Sequence, residues 1–225
     1  MEEHVTIESL LIGDYKILQD DRFYRFTSDS VILSRFLKAN KGETVADICS
    51  GCGIVGIHFL ALNEPFVKEV GFFEIQSRLA DLCEKSLEIN KMDDKCYIVK
   101  GKLQENSENY KNRYSLILCN PPYKKKDSGE KNLKREIAIC RHEVEITQSE
   151  IVFSAFKMLK HGGRLRICQR TERLPELFSD LEKAGLNPSV LQFVVAKNSQ
   201  KPYLVLVEAV KGVKRPFKVL PNYEN

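Results

Sequence analysis

A chain of 225 residues with 43% hydrophobic and 29% charged side chains can build a packed core, and none of its apolar runs approaches the length of a membrane span. Its net charge of +4 permits a nucleic-acid partner without demanding one, so the placement of the basic residues matters more than their sum. Seven cysteines scattered through strand-like and helix-like segments fit reduced thiols rather than a disulfide framework, and the acidic start is not a signal-peptide n-region, so a cytoplasmic location is expected.

Residues 1–40 read as an extension that precedes the first core strand. It holds the apolar entry Leu10-Leu11-Ile12-Gly13 and then a helical pattern in Val31, Ile32, Leu33, Phe36 and Leu37. Ser28 or Asp29 could cap that helix, because either side chain can accept from its free first-turn N–H groups. From residue 41 the pattern becomes strand, glycine loop, helix: Thr44–Ile48, then Cys49-Ser50-Gly51-Cys52-Gly53, then Ile54–Leu62. Glycines let such a loop turn with positive φ and bring its backbone close to a ligand, beside the unpaired N–H groups of a helix start. A second strand, Val67–Glu74, ends in an acid, and a helix follows from about Ser77 to Asn90.

Cys96–Lys100 and Tyr114–Cys119 read as the third and fourth strands, the latter stopping at Asn120-Pro121-Pro122-Tyr123. Two successive prolines fix φ and remove two backbone donors, so the strand cannot continue. Taken alone, the tetrapeptide reads as a proline turn in preference to a grip for a flat molecule with an exocyclic amine. After a lysine-rich stretch over 124–135, Thr147-Gln148-Ser149-Glu150 is a capping box for a helix closed by His161-Gly162-Gly163. Leu165–Cys168 gives a fifth strand, and Leu174 to Ala184 an amphipathic helix stopped by Gly185. The strands Ser189–Ala196 and Tyr203–Val210 close the chain as an antiparallel hairpin. Alternation of strands and helices predicts a doubly wound α/β sheet, in which ligands lie beyond the carboxyl ends of the strands. Cys49 to Gly53, Glu74 and Asn120 all fall at such ends.

The chemistry narrows by elimination. No phosphate loop of the Gly-x-x-x-x-Gly-Lys-Ser/Thr type is present. Gly51-Cys52-Gly53-Ile54-Val55-Gly56 matches the dinucleotide fingerprint formally, but Asp47 just ahead would repel a pyrophosphate and attract the ammonium of a methionine moiety. That favours S-adenosylmethionine over a nicotinamide cofactor. Cys49 and Cys52 have C-x-x-C spacing, yet no second pair completes a zinc site, so no metal is expected.

Asp47-Ile48-Cys49-Ser50-Gly51-Cys52-Gly53, Glu74 and Asn120-Pro121-Pro122-Tyr123 resemble motifs I, II and IV of the class I S-adenosylmethionine-dependent amino methyltransferases. Further stretches at Leu10–Ile17, Phe26–Ser30, Arg141–Glu143 and Leu204–Gly212 resemble the bacterial valine-tRNA (adenine-37-N6)-methyltransferase family. The resemblance implies a Rossmann-like α/β fold over the whole chain, with a seven-stranded, mostly parallel sheet ending in the antiparallel hairpin. It implies methylation of an adenine N6 in tRNA, adenine 37 of the valine-tRNA anticodon loop, with S-adenosylhomocysteine as product; monomer and homodimer are left open. On the same basis Asn120, Pro121, Pro122 and Tyr123 are the expected catalytic motif. Phe26, Asp29, Asp47, Cys49, Ser50, Gly51, Gly53, Glu74, Ile75, Gly101, Lys102 and Asn120 are the expected cofactor contacts, with Asp47 and Asp29 at the methionine end and Glu74 on the ribose. Cys49 stands where the family usually has glycine and Lys102 where it usually has aspartate; backbone atoms at Gly101-Lys102 are expected to meet the adenine. Lys124, Lys125, Lys126, Arg141, Arg166 and Lys201 are expected on the RNA, along with further bases such as Arg164, Arg170 and Lys211. The same motif IV also occurs in DNA, rRNA and protein-glutamine methyltransferases, and a non-catalytic RNA-binding protein would keep the basic surface.

Overall fold

The computed structural model describes residues 4–23, 25–123 and 145–225. A nine-stranded sheet forms its centre. Its seven long strands are β3 (Glu43–Ile48), β4 (Val67–Glu74), β5 (Cys96–Lys100), β6 (Tyr114–Cys119), β7 (Leu159–Arg170), β8 (Leu186–Val195) and β9 (Pro202–Lys211). They run in the order β8-β9-β7-β6-β3-β4-β5. Pairing is parallel from β5 through β7, while β9 is antiparallel to both β7 and β8, so the expected closing hairpin is present. Two short pieces, β10 (Lys218–Val219) and β11 (Tyr223–Glu224), add to the edge along β8.

The central strands are apolar on both sides because both faces are covered. Val45, Leu116 and Leu118 face one core, where α1 (Ser28–Arg35), α2 (Ile54–Asn63) and α3 (Ser77–Ile89) pack. Ala46, Ile48, Ile117 and Cys119 alternate onto the other, under α4 (Leu103–Asn109), α5 (Gln148–Met158) and α6 (Leu174–Ala184). The capping box forms as expected: Thr147 accepts from the Glu150 N–H while Glu150 accepts from the Thr147 N–H. The helix it opens stops at Met158, and residues expected to close that helix already belong to β7. Gly163 permits this, since a Cβ there would crowd the Lys160 and Tyr114 carbonyl oxygens.

The first residues form a hairpin of their own, β1 (Val5–Ser9) with β2 (Lys16–Asp20). It is fastened along α3: Lys16 N–H donates to Asn90 at 2.9 Å, Leu18 N–H to Ser86 at 3.0 Å, and Asp20 pairs with Arg78 at 3.0 Å. Arg22 and Arg78 hold the Asp20 carboxyl well below the usual carboxylate range. From this anchor the chain passes Phe26, whose N–H donates to Gln19 at 3.0 Å, and enters α1. Among the described residues no helix is long and apolar enough to cross a membrane.

Candidate active site

One row of the sheet sets the site. Phe73, Ile48, Cys119 and Ile167 are register partners across β4, β3, β6 and β7. The next residues along these strands, Glu74, Cys49, Asn120 and Cys168, therefore share one rim at the carboxyl edge, beside the point where the strand order reverses. A cavity of about 450 Å3 opens there, within the range of about 300–1,000 Å3 typical of small-molecule sites. Phe26, Cys49, Ser50, Gly51, Glu74, Ile75, Gly101 and all four residues of Asn120-Pro121-Pro122-Tyr123 line it.

The glycine loop keeps its tight path although Cys49 replaces a glycine. Cys49 adopts φ 56°, Gly51 φ 57° and Gly53 φ 87°, all in the left-handed region. Gly53 must stay bare, since a Cβ there would run into the Cys83 sulfur. It shapes the loop and caps α2 without lining the cavity. The Glu74 carboxylate accepts from the Gly51 N–H at 2.8 Å and the Gln76 N–H at 2.9 Å, which fixes it against the loop. Burial raises its pKa, with the backbone amides of Gln76, Gly51 and Ile75 pulling the other way.

Two acids do not stand where the sequence suggests. Asp47 lies beneath the loop, outside the cavity, and accepts from the Gly56 N–H at 2.8 Å; its other oxygen is buried without a hydrogen-bond partner among the described residues. Burial pushes its pKa up to about 8, and its bond to Gly56 ties the loop to α2. Asp29 neither caps α1, whose N-cap is Thr27, nor lines the cavity. It sits near Tyr123, with Arg170 at 3.5 Å. Burial raises its pKa while Arg170 and Tyr123 oppose the rise. Lys102 is an exposed N-cap of α4 outside the cavity, whereas Leu103 and Gln104 line it.

Asn120 is held from three directions. Its Nδ2 donates to Ser30 Oγ at 2.8 Å, and its Oδ1 accepts from the Tyr123 hydroxyl at 2.6 Å and from the Cys168 thiol at 3.1 Å. Arg173, almost fully buried, donates to the Tyr123 carbonyl at 3.0 Å and pairs with Glu176, so the end of the motif is fixed as well. Ser30, Cys168 and Arg173 were not expected in the site. Cys168 was findable, because it closes the expected fifth strand Leu165–Cys168.

The basic residues separate into two groups. Arg166 is 1% exposed, paired with Glu208 at 2.9 Å and donating to the Leu37 and Lys38 carbonyls, so it cannot meet RNA. Arg164 is likewise buried against Glu43, and Lys211 donates to the Leu159 carbonyl at 2.8 Å. Lys201 is exposed and Arg170 is partly so. The expected contacts at Lys124, Lys125, Lys126 and Arg141 lie outside the described residues. Among the described residues no cluster of His, Cys, Asp and Glu could hold a metal ion.

A Rossmann-like sheet of this order, with a glycine loop, an acid and a proline-stopped asparagine on one rim, defines a class I methyltransferase. The methyltransferase small domain family matches residues 25–185, and the chain belongs to it. It is similar to the tRNA1(Val) (adenine(37)-N6)-methyltransferase of Trichodesmium erythraeum, 22% identical over 76% of this chain and 71% of that protein. The protein of the same name from Proteus mirabilis is 26% identical over 78% of this chain and 68% of its own length. In fold it is similar to a predicted O-methyltransferase from Agrobacterium tumefaciens, with a TM-score of 0.66 at 15% identity over 87% of this chain and 88% of the other. It also matches Methanocaldococcus jannaschii Trm5 in complex with adenosine, with a TM-score of 0.64 at 13% identity over 94% of this chain and 57% of that one.

The cavity fits the methyl donor, S-adenosylmethionine. Glu74 presents a carboxylate with acceptor capacity beyond its two amide bonds, suited to ribose hydroxyls. Gly51 leaves open space where a Cβ would stand. Ser50 brings a buried hydroxyl without a partner among the described residues, and Phe26, Ile75 and Leu79 supply apolar walls.

Proposed function

We propose that this methyltransferase acts on the exocyclic N6 of an adenine in tRNA, at position 37 of the anticodon loop of a valine tRNA. The observation that carries the reading is the Asn120 amide, whose oxygen already accepts from two donors on the rim of the cavity. An amine offers the same kind of donor and would take the place of the Cys168 thiol, the weaker of the two. The names of the relatives, at 22% and 26% identity, support the choice of nucleotide and RNA.

An adenine amine is a poor nucleophile because its lone pair is delocalised into the ring. Asn120 Oδ1 and the Pro121 carbonyl each accept one N–H and so turn the lone pair out of conjugation, towards the methyl group. The bound donor supplies that methyl already activated by its sulfonium, so positioning is the main task left to the chain. As the new N–C bond forms the methyl would leave sulfur, whose bonding pair stays behind as a neutral thioether, and the nitrogen would release its extra proton to solvent water. Tyr123 offers its ring to the base, a stacking contact worth about 1–3 kcal/mol in related systems. Glu74 holds the ribose hydroxyls and Ser50 and Gly51 the donor's chain. An anticodon-loop adenine costs less to extrude than a paired one.

The test is incubation with labelled S-adenosylmethionine and unmodified tRNA, with DNA and a release factor as parallel arms, and location of the methyl group by mass spectrometry. Methyl on adenine N6 of the anticodon loop is the expected result; methyl on DNA or on glutamine overturns the reading. In Asn120→Ala, transfer should fall by about 100-fold or more while tRNA binding persists. Unchanged turnover would remove Asn120 from the mechanism.

A further inference from the structure

Arg170 stands between two aromatic rings. Its guanidinium carbon lies 4.7 Å from the Tyr123 ring centre and 5.8 Å from that of Tyr203. Asp29 at 3.5 Å holds it there, although about a third of its side chain is exposed (35%). On one side of Arg170 lies the cavity described above. On the other lies a shallow groove lined by Glu172, Ser199, Lys201 and Tyr203. Arg170 and Glu172 line both, so the two spaces meet at the guanidinium. Neither donor binding nor amine alignment uses the groove.

We propose that the groove is a subsite for the nucleotide adjoining the methylated adenine, with its base on Tyr203 and its phosphate between Arg170 and Lys201. The inference rests on the proposed RNA substrate and adds a second contact point to it. Single-stranded RNA is held by aromatic stacking and by cations along the backbone, and the groove supplies one of each beside the reacting base. A base entering the cavity must part from its neighbour. Arg170 divides the space so that each of the two bases meets its own ring, and its charge favours the face of either ring. Tyr203 is set in place before RNA arrives, its hydroxyl tied to the Asn225 amide at 2.9 Å. Glu172 is exposed at the lip and can only accept, so the subsite favours a base that turns an amino or imino N–H towards it.

The experiment uses an anticodon stem-loop RNA with 2-aminopurine placed in turn at each nucleotide flanking the target adenine. Binding to the wild-type protein should quench fluorescence several-fold at one flank. Tyr203→Phe should keep the quenching and Tyr203→Ala should lose it, with RNA affinity falling about tenfold. An abasic residue at that flank should weaken binding to the wild-type protein by a similar factor, which needs no altered protein, and should leave Tyr203→Ala with no further loss. Absent binding, absent quenching at both flanks, equal quenching in Tyr203→Ala, or additive losses would each overturn the subsite. Methyl transfer is read separately on the same RNA. Quenching without methylated adenine would overturn the proposed reaction and leave the subsite standing; methylation without quenching would do the reverse.

Discussion

Asp47 carries a conflict that a solvated carboxylate would not. One oxygen organises the start of α2 through Gly56, while the other has no hydrogen-bond partner among the described residues, and burial lifts its pKa to about 8. A folded-state pKa above the unfolded value means that the native state binds a proton the unfolded chain has already lost. The resulting stability is present in full below about pH 4 and drains away as pH rises towards 8. Buried His58 acts in the opposite sense: its pKa falls to about 4, so its contribution is lost as pH drops from about 6.5 to 4. In Asp47→Asn the first component disappears. Without added cofactor, the gap in melting temperature between Asp47→Asn and wild type should widen in favour of the variant by several degrees from pH 5 to pH 8. A constant gap would show that the carboxylate is ionised throughout.

At the level of strands and helices, Arg166 shows how a sequence pattern can mislead. Leu165 and Ile167 flank it and face the core, so alternation sends Arg166 to the opposite side of β7, which reads as solvent. That side is covered too, by Phe59 of α2 and the chain leaving α1, whose Leu37 and Lys38 carbonyls the guanidinium binds. Arg166→Leu should cost about 3–5 kcal/mol in urea unfolding, because it strands Glu208 and two carbonyls. The salt dependence of RNA binding by the folded variant should not change, whereas Lys201→Ala should lower that slope by about one. A lower slope in Arg166→Leu would return it to the RNA surface. The seven long strands were legible because their apolar runs sit between clear breakers. The hairpin of β1 and β2 was not, because the alternation of Val5-Thr6-Ile7-Glu8 is short and its second apolar residue, Ile7, is exposed. Helix α4 was hidden by a polar sequence in which only Leu103 and Ser107 are buried. The two-residue strands β10 and β11 are too short to carry any pattern.

Across the whole molecule, the site's polar groups were legible where they coincide with strand ends. Glu74, the glycine loop and Asn120 needed only the topology to bring them together. What escaped were partners supplied from afar, such as Ser30, ninety positions from Asn120 and joined to it only by the fold. The hairpin ahead of Ser30 is fastened to α3, and α3 also brings Leu79 to the donor's cavity. Phe26 and Ser30 thus arrive on a strap pinned at one end to the wall it faces. A ligand seated between strap and wall touches both, so the free energy of its binding also holds the strap down. S-adenosylhomocysteine should therefore slow amide hydrogen exchange in residues 16–20 and 26–36 together, and exchange unaltered there would mean the strap is indifferent to the ligand. The same linkage orders departure. Ser30 is bonded to Asn120, so on the proposed mechanism the modified nucleotide should leave more slowly while S-adenosylhomocysteine holds the strap down.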